Sequence, residues 1–280
     1  MVPQDTTPPR SRRQGRRTAE IVTISAALLV LLTTGTWLVA GLFGFGTTLT
    51  GPSSGGMPVR AASTTALQLG RSVRGNAIVA QRFGSGGRRY LVVGGVHGDE
   101  YGTRVAQALT DRLRSDPGLV PTGTEIDIIV AANPDGVAAD TRGNANGIDL
   151  NRNFPSKNWA STLQAGDVSA VESLSGGPSA ASEPETKAMV EYLKRGFSGV
   201  VSLHSSGGIV DYDGPGGLTV AARVSRSIGL PVQHLAYQAA VRGSMGIYVA
   251  ETYGIPIITV ELASPRLSKS TLEGILAAVR

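Results

Sequence analysis

A chain of 280 residues, 41% hydrophobic and 17% charged, can bury a core, which excludes wholesale disorder. It contains no cysteine, so disulfides, thiolate metal ligands and lipid attached at cysteine are all ruled out. Its net charge is +5, of which residues 1–20 supply +3 through Arg10, Arg12, Arg13, Arg16 and Arg17 against Asp5 and Glu20; no basic patch interleaved with aromatics appears, so nucleic acid is not an expected partner.

The apolar, uncharged run from Ile21 to Phe45 is long enough for a membrane span, which needs about 20 residues. The arginines precede it, so residues 1–20 are expected as a cytoplasmic tail and the rest of the chain outside the membrane. A signal peptide is the competing reading, giving a secreted protein after cleavage. Its apolar core is usually about 7–15 residues, and Arg60 spoils the small-residue context of Val59–Ala61. A retained single-pass anchor at 21–45 is the expectation. Residues 46–63, rich in Gly, Ser, Thr and Pro, read as a linker, leaving 64–280 as one domain.

In that domain Ala66–Ser72 reads as a short element entering a turn. Ala77–Phe83 and Arg89–Val96 read as strands, and the glycine-rich spacer Gly84–Gly87 suggests that they form a hairpin. A helix is expected from Glu100 to Arg114, a central strand over Ile126–Ala131, and a turn at Asn133–Gly136. A long Gly/Asn-rich connection follows, to about Ala181; loops of this length are usually functional or disordered. Ser182-Glu-Pro-Glu185 has the form of a capping box and opens a helix that ends near Arg195. Gly199–Leu203 reads as a strand ending on His204, Leu218–Ile228 as a helix, Ile255–Val260 as a strand ending on Glu261, and Ser268–Arg280 as a helix. The fold class is therefore α/β: a three-layer domain with a mixed, mostly parallel sheet between helices.

His97, His204 and Glu261 each stand at the carboxyl end of a predicted strand. Parallel strands would carry all three to one rim of the sheet, where ligands bind in open α/β folds. His97 and Glu100 are three residues apart, and with His204 they make a His₂Glu set, one of the three-ligand sets of catalytic zinc sites. One Zn²⁺ per chain is expected. A catalytic metal polarises a carbonyl and acidifies a water, and a carboxylate that does not bind it must then act as base; Glu261 is the candidate. Arg142, in the long loop, is placed to stabilise the charge of a tetrahedral intermediate. Arg152 could hold a substrate carboxylate with two bonds, with Asn151 adding an amide donor. Asp149 is expected to pair with a ligand histidine or to cap local backbone rather than to act in the chemistry.

These residues resemble the zinc carboxypeptidase family of the M14 type. The matching motifs are His97-Gly-Asp-Glu100, Asn133-Pro-Asp-Gly136, Arg142, Asp149-Leu-Asn-Arg-Asn-Phe154, Leu203-His-Ser205 and Thr259-Val-Glu-Leu262, in the family's order, over about Leu67 to Leu262. The resemblance implies that His97, Glu100 and His204 hold zinc, that Glu261 is the general base, that Arg142 polarises the carbonyl, and that Asn151 and Arg152 grip a carboxylate. It also implies a substrate-capping role for Tyr237, and places Met245 near the pocket for the terminal side chain. Within the family, Arg142–Pro155 and Gly243–Gly246 look most like the bacterial murein peptide amidases, which cut the γ-D-glutamyl–diaminopimelate bond. The expected substrate is a peptide or muropeptide next to a residue with a free carboxylate. Two alternatives stand beside this: a deacylase of N-acyl amino acids, of the succinylglutamate desuccinylase or aspartoacylase type, and a non-catalytic wall-binding module on the same scaffold.

Overall fold

The computed structural model describes residues 64–161, 175–235, 242–264 and 268–280. The stretches read above as cytoplasmic tail, membrane anchor and linker lie outside the described residues, as does Tyr237. No helix among the described residues is long and apolar enough to cross a membrane.

The strands of the described residues are β1 (Thr65–Arg71), β2 (Ala77–Gly84), β3 (Arg88–Val93), β4 (Thr124–Ile129), β5 (Gly199–Ser205), β6 (Ile209–Asp213) and β7 (Ile257–Leu262). They form one sheet in the order β1-β2-β4-β3-β5-β7-β6. The centre, β4-β3-β5-β7, is parallel, and the margins β1-β2-β4 and β7-β6 are antiparallel. The sheet is thus mixed, and "mostly parallel" describes its centre alone.

Side chains alternate across the strands with a period of two. Val92, Ile126, Ile128, Val201, Leu203, Ile258 and Val260 face one core cluster, with Val105 and Leu109 of helix α1 (Gly102–Ser115), Ala221 and Val224 of a second helix (Gly217–Ile228), and Ile275 of the last (Lys269–Ala277). Leu91, Val93, Ile129, Val200 and Ile257 face the other cluster, with Met189 and Leu193 of the helix Pro184–Leu193 and Met245 and Val249 of the helix Met245–Tyr253. In chain order these helices, with the short Pro134–Ala139 placed second, are α1 to α6. β4 is buried along its whole length, as a central strand must be.

The expected β2–β3 hairpin does not form. β4 lies between the two strands and pairs with both. The glycine spacer instead carries the chain across the end of β4: a Cβ at Gly86 would lie 2.1 Å from the Gly123 carbonyl, so only glycine passes there. The turn expected at Asn133–Gly136 is a short helix, α2, with Pro134 in its first turn and Asn133 capping it through Oδ1, 2.9 Å from Gly136 N. Ser182 does not cap α3; its hydroxyl donates to Glu183 Oε1 at 2.7 Å, and Glu183 is the N-cap residue, without a side-chain bond. Among the strands and α-helices of the described residues, β6 and α5 escaped the sequence reading altogether.

Candidate active site

β3, β5 and β7 are parallel neighbours, and their carboxyl ends open onto one rim. His97 follows β3 after a three-residue loop, while His204 and Glu261 sit on β5 and β7 as direct cross-strand partners. Glu100 stands just before α1. Gly102, in that helix's first turn, lets the helix rest on β5: a Cβ there would lie 1.9 Å from the Leu203 carbonyl oxygen, beside His204.

His97 Nδ1 is 2.7 Å from Glu100 Oε1 and 3.1 Å from His204 Nδ1, and His204 Nδ1 is 2.9 Å from Glu100 Oε2. One ligand atom from each lies within 4.8 Å of the others. Both histidines are 2% exposed. His97 Nε2 meets Asp149 Oδ1 at 2.9 Å, so this nitrogen carries the proton it donates and Nδ1 turns its lone pair inward. Two imidazole lone pairs and a carboxylate aimed at one point make a donor set that fits zinc, with room for a further position on the open side. When bound there, zinc would polarise a scissile carbonyl and lower the pKa of a water.

The surrounding charge favours a cation. Burial alone would raise the Glu100 carboxyl, but the two imidazoles outweigh it and hold Glu100 well below the usual carboxylate range. Asp149 is buried too, and His97, Arg152 and Arg142 hold it low. Burial opposes charge on His97, yet Asp149 and Glu100 push it up to about 9. Ser205 N donates to Glu100 Oε2 at 3.0 Å and fixes that carboxylate. The peptide bond that follows, Ser205–Ser206, is cis.

Arg142 bridges the cluster: its Nη1 is 3.2 Å from Glu100 Oε1 and its Nε 3.1 Å from Asp149 Oδ2. The loop carrying both Arg142 and Asp149 is built on Asn144. Its Oδ1 accepts from Asn146 N and Ile148 N at 3.0 and 3.1 Å, and its Nδ2 donates to Glu183 Oε2 and Glu185 Oε2 at 2.8 and 3.0 Å. Both glutamates are at most 3% exposed, so each needs such donors. Asp135, of the Asn-Pro-Asp-Gly motif, binds Ser72 Oγ, Arg74 N and Asn76 Nδ2 at 2.7–2.9 Å and ties the β1–β2 turn to α2.

His97, Glu100, Arg142, His204 and Glu261 line one cleft together with Asn151 and Arg152. Glu261 lies over Gly207, and its carboxylate has no hydrogen-bond or ion-pair partner among the described residues. It is not one of the three residues of the metal-ligand cluster. Arg152 Nη1 donates to the Asn151 carbonyl at 2.8 Å, and Asn151 Oδ1 accepts from Met245 N at 2.9 Å, which holds the start of α5 against the cleft. Met245 itself does not line the cleft. Its side chain is 1% exposed in the core beneath, and its neighbours Ser244 and Gly246 face the opening instead. Sequence reasoning missed Asp211 and Asp213 of β6, which stand in the same cleft. Their only signal was a four-residue alternation, Val-Asp-Tyr-Asp, shortly after Gly207-Gly208.

Comparison with known proteins agrees with this arrangement. Murein peptide amidase A of Escherichia coli K12 is 38% identical over 120 residues, 41% of this chain and 48% of that protein, so the chain matches about half its length. Murein peptide amidase A of Vibrio campbellii is 34% identical over 185 residues, 62% of this chain and 69% of that protein. The crystal structure of the murein-tripeptide amidase from Escherichia coli O157 superposes with a TM-score of 0.61 at 28% identity, covering 84% of this chain and 98% of that one. Residues 60–265 match the zinc carboxypeptidase family, Peptidase M14. With its His₂Glu cluster at the rim of a mixed α/β sheet, the chain belongs to the zinc carboxypeptidase family, a family of zinc-dependent hydrolases.

Proposed function

We propose that the protein is a zinc-dependent peptide amidase of the cell wall, cutting an amide such as γ-D-glutamyl–diaminopimelate next to a residue with a free carboxylate. The observation that carries this is the cleft itself, which places the His97–Glu100–His204 cluster, Glu261 and the Arg142–Asn151–Arg152 group around one opening. The likeness to two murein peptide amidases supports the wall substrate.

Each residue has a task. Glu261 takes the proton of the attacking water and passes it to the leaving nitrogen. Arg142 is a fixed cation beside the charge that develops on the carbonyl oxygen. Arg152 and Asn151 hold the free carboxylate of the released residue and so orient the bond to be cut. Asp149 keeps His97 in the tautomer that turns Nδ1 inward.

The experiment compares purified, zinc-loaded protein on L-alanyl-γ-D-glutamyl-diaminopimelate and on N-succinylglutamate and N-acetylaspartate. Cleavage of the tripeptide supports the amidase. Cleavage of the N-acyl amino acids alone would make the protein a deacylase, and hydrolysis of neither, with wall binding retained, a binding module.

The placement proposed is a single-pass membrane protein with this domain on the outer side, supported by the apolar 21–45 run behind five arginines. Amino-terminal sequencing of the mature protein tests it. A start between Thr47 and Thr65 in most molecules would make the protein secreted.

A further inference from the structure

Arg142 and Arg152, the two arginines of the cleft, stand near the ends of one run of chain. From Arg142 to Asn153 that run holds no strand or α-helix, only the short 3-10 turn Leu150–Arg152. Its shape is therefore set by hydrogen bonds to its neighbours, and these converge on Glu183.

Glu183 is the N-cap residue of α3, yet its side chain makes no bond to its own helix. It turns to the loop instead. Oε2 accepts from Asn144 Nδ2 and Asn146 Nδ2, both at 2.8 Å, and Oε1 from Ser182 Oγ at 2.7 Å. The backbone N of the same residue donates to Asn153 Oδ1 at 3.2 Å. Asn153 is fully buried, and its Nδ2 donates to the Gly176 and Ser179 carbonyls and to Ser182 Oγ at 2.7–3.1 Å. One residue thus grips the run two positions past Arg142 and one position past Arg152. Asp149 ties Arg142 to Asn151 N from within the run. Glu183 ties the run to the body of the domain, because α3 is packed into the core through Met189 and Leu193.

Glu183 is 3% exposed and forms no ion pair among the described residues. Burial alone would raise its carboxyl, but the Asn144, Ser182 and Asn146 donors hold it below the usual carboxylate range. Only an ionised carboxylate accepts at both oxygens from all three. The backbone beside it is strained: Ala181 takes a φ of +49°, while its N donates to the Asn153 carbonyl at 2.6 Å. A left-handed alanine persists only where surrounding bonds over-determine it.

We propose that Glu183 is a positioning residue for the reaction: it sets the spacing between Arg142, beside the carbonyl, and Arg152, on the free carboxylate, so that one substrate engages both. This rests on the roles given to the two arginines above. Without Glu183 both arginines remain, but the loop between them loses its tie to α3. A misplacement of about 1 Å can cost on the order of 10²-fold in rate.

The test uses full-length, zinc-loaded protein with Glu183→Ala, which removes both acceptors, and Glu183→Gln, which keeps the shape and one acceptor. kcat and KM are measured on the free-acid and amidated tripeptide, and binding of diaminopimelate and its diamide by calorimetry. The unmodified protein is expected to prefer the free acid at least tenfold in both, the worth of one hydrogen bond to a charged group. Glu183→Ala should cut that preference to about threefold or less and lower kcat as well, with Glu183→Gln between the two. Zinc content and melting temperature show whether each variant is folded, and Glu183→Gln carries the test if Glu183→Ala is not. A role in folding alone would lower kcat and the binding stoichiometry but leave KM, Kd and the preference unchanged, which would overturn the proposal. So would equal binding of diaminopimelate and its diamide by the unmodified protein. A binding preference that weakens in the variants while no peptide is cut would uphold the positioning and overturn the amidase reading alone.

Discussion

Asp149 aims His97. Its Oδ1 lies 2.9 Å from His97 Nε2, and that bond turns the ring so that Nδ1 meets Glu100 Oε1 at 2.7 Å and His204 Nδ1 at 3.1 Å. The same carboxylate holds Arg142 through Oδ2 at 3.1 Å. One buried side chain thus orients both His97, a proposed metal ligand, and Arg142, the proposed cation beside the reacting carbonyl.

Removing it should weaken the metal before it touches the fold. Asp149→Ala is expected to lower zinc affinity roughly 10–100-fold, the usual cost of losing the partner of a ligand histidine. Competition against a chelator of known affinity measures this. Unchanged affinity would show that His97 is oriented by something else.

Zinc should also hold the three ligands together. A ligand that binds only the folded state stabilises it by mass action, so chelation should lower the melting temperature and adding zinc back should restore it. His204→Ala should contain far less than one zinc per chain by elemental analysis. A variant that keeps a full complement would remove His204 from the ligand set.

The rim was legible because each strand leading to it is an apolar run that ends on a polar residue, as at Leu203–His204 and Val260–Glu261. Pairing was not legible. Glycines at Gly84–Gly87 signal a turn whether the next strand lies beside the last or beyond another, and only burial of all of β4 decides for the second. α5 was missed because Met-Gly-Ile-Tyr-Val-Ala-Glu-Thr-Tyr mixes a glycine with β-branched and aromatic residues, which disfavour helices on intrinsic grounds. It forms through the Ser244 cap, 3.2 Å from Ile247 N, and through burial of Met245 and Val249. Asp211 and Asp213 enter the cleft through the register of β6 on β7, a long-range fact that the short alternation around them does not give.

Those aspartates give the pH dependence a sign. Burial lifts the Asp211 carboxyl from 3.8 in the unfolded chain to about 6 in the folded one. The folded state holds this proton more tightly, so the stability it contributes is full below about pH 4 and is lost as pH rises through about 6. Asp211→Asn, which can still accept from Leu235 N, should therefore stabilise the protein by up to about 3 kcal/mol at pH 7–8 and by far less at pH 4. Chemical denaturation at both pH values tests this. Destabilisation by the substitution at pH 8 would mean that Asp211 is already satisfied as an anion.

Arg152 should act on the free carboxylate of the released residue. Arg152→Ala is expected chiefly to raise KM for free-acid substrates, with some loss of kcat because positioning contributes to the barrier. Amidated substrates should be poor for the unmodified protein and little worse for the variant. kcat/KM for both proteins on both substrates forms a double-mutant cycle. Effects that simply multiply would show that Arg152 does not contact the carboxylate.

The most direct measurement is release of diaminopimelate from L-alanyl-γ-D-glutamyl-diaminopimelate by zinc-loaded protein, with Glu261→Gln run beside it and zinc determined in both. The prediction is steady release by the unmodified protein. In Glu261→Gln zinc should stay near one per chain while turnover falls by about 10²–10⁴-fold, the usual worth of a general base. No release by zinc-loaded protein, or a Glu261→Gln variant that keeps its zinc and its full rate, would contradict the account.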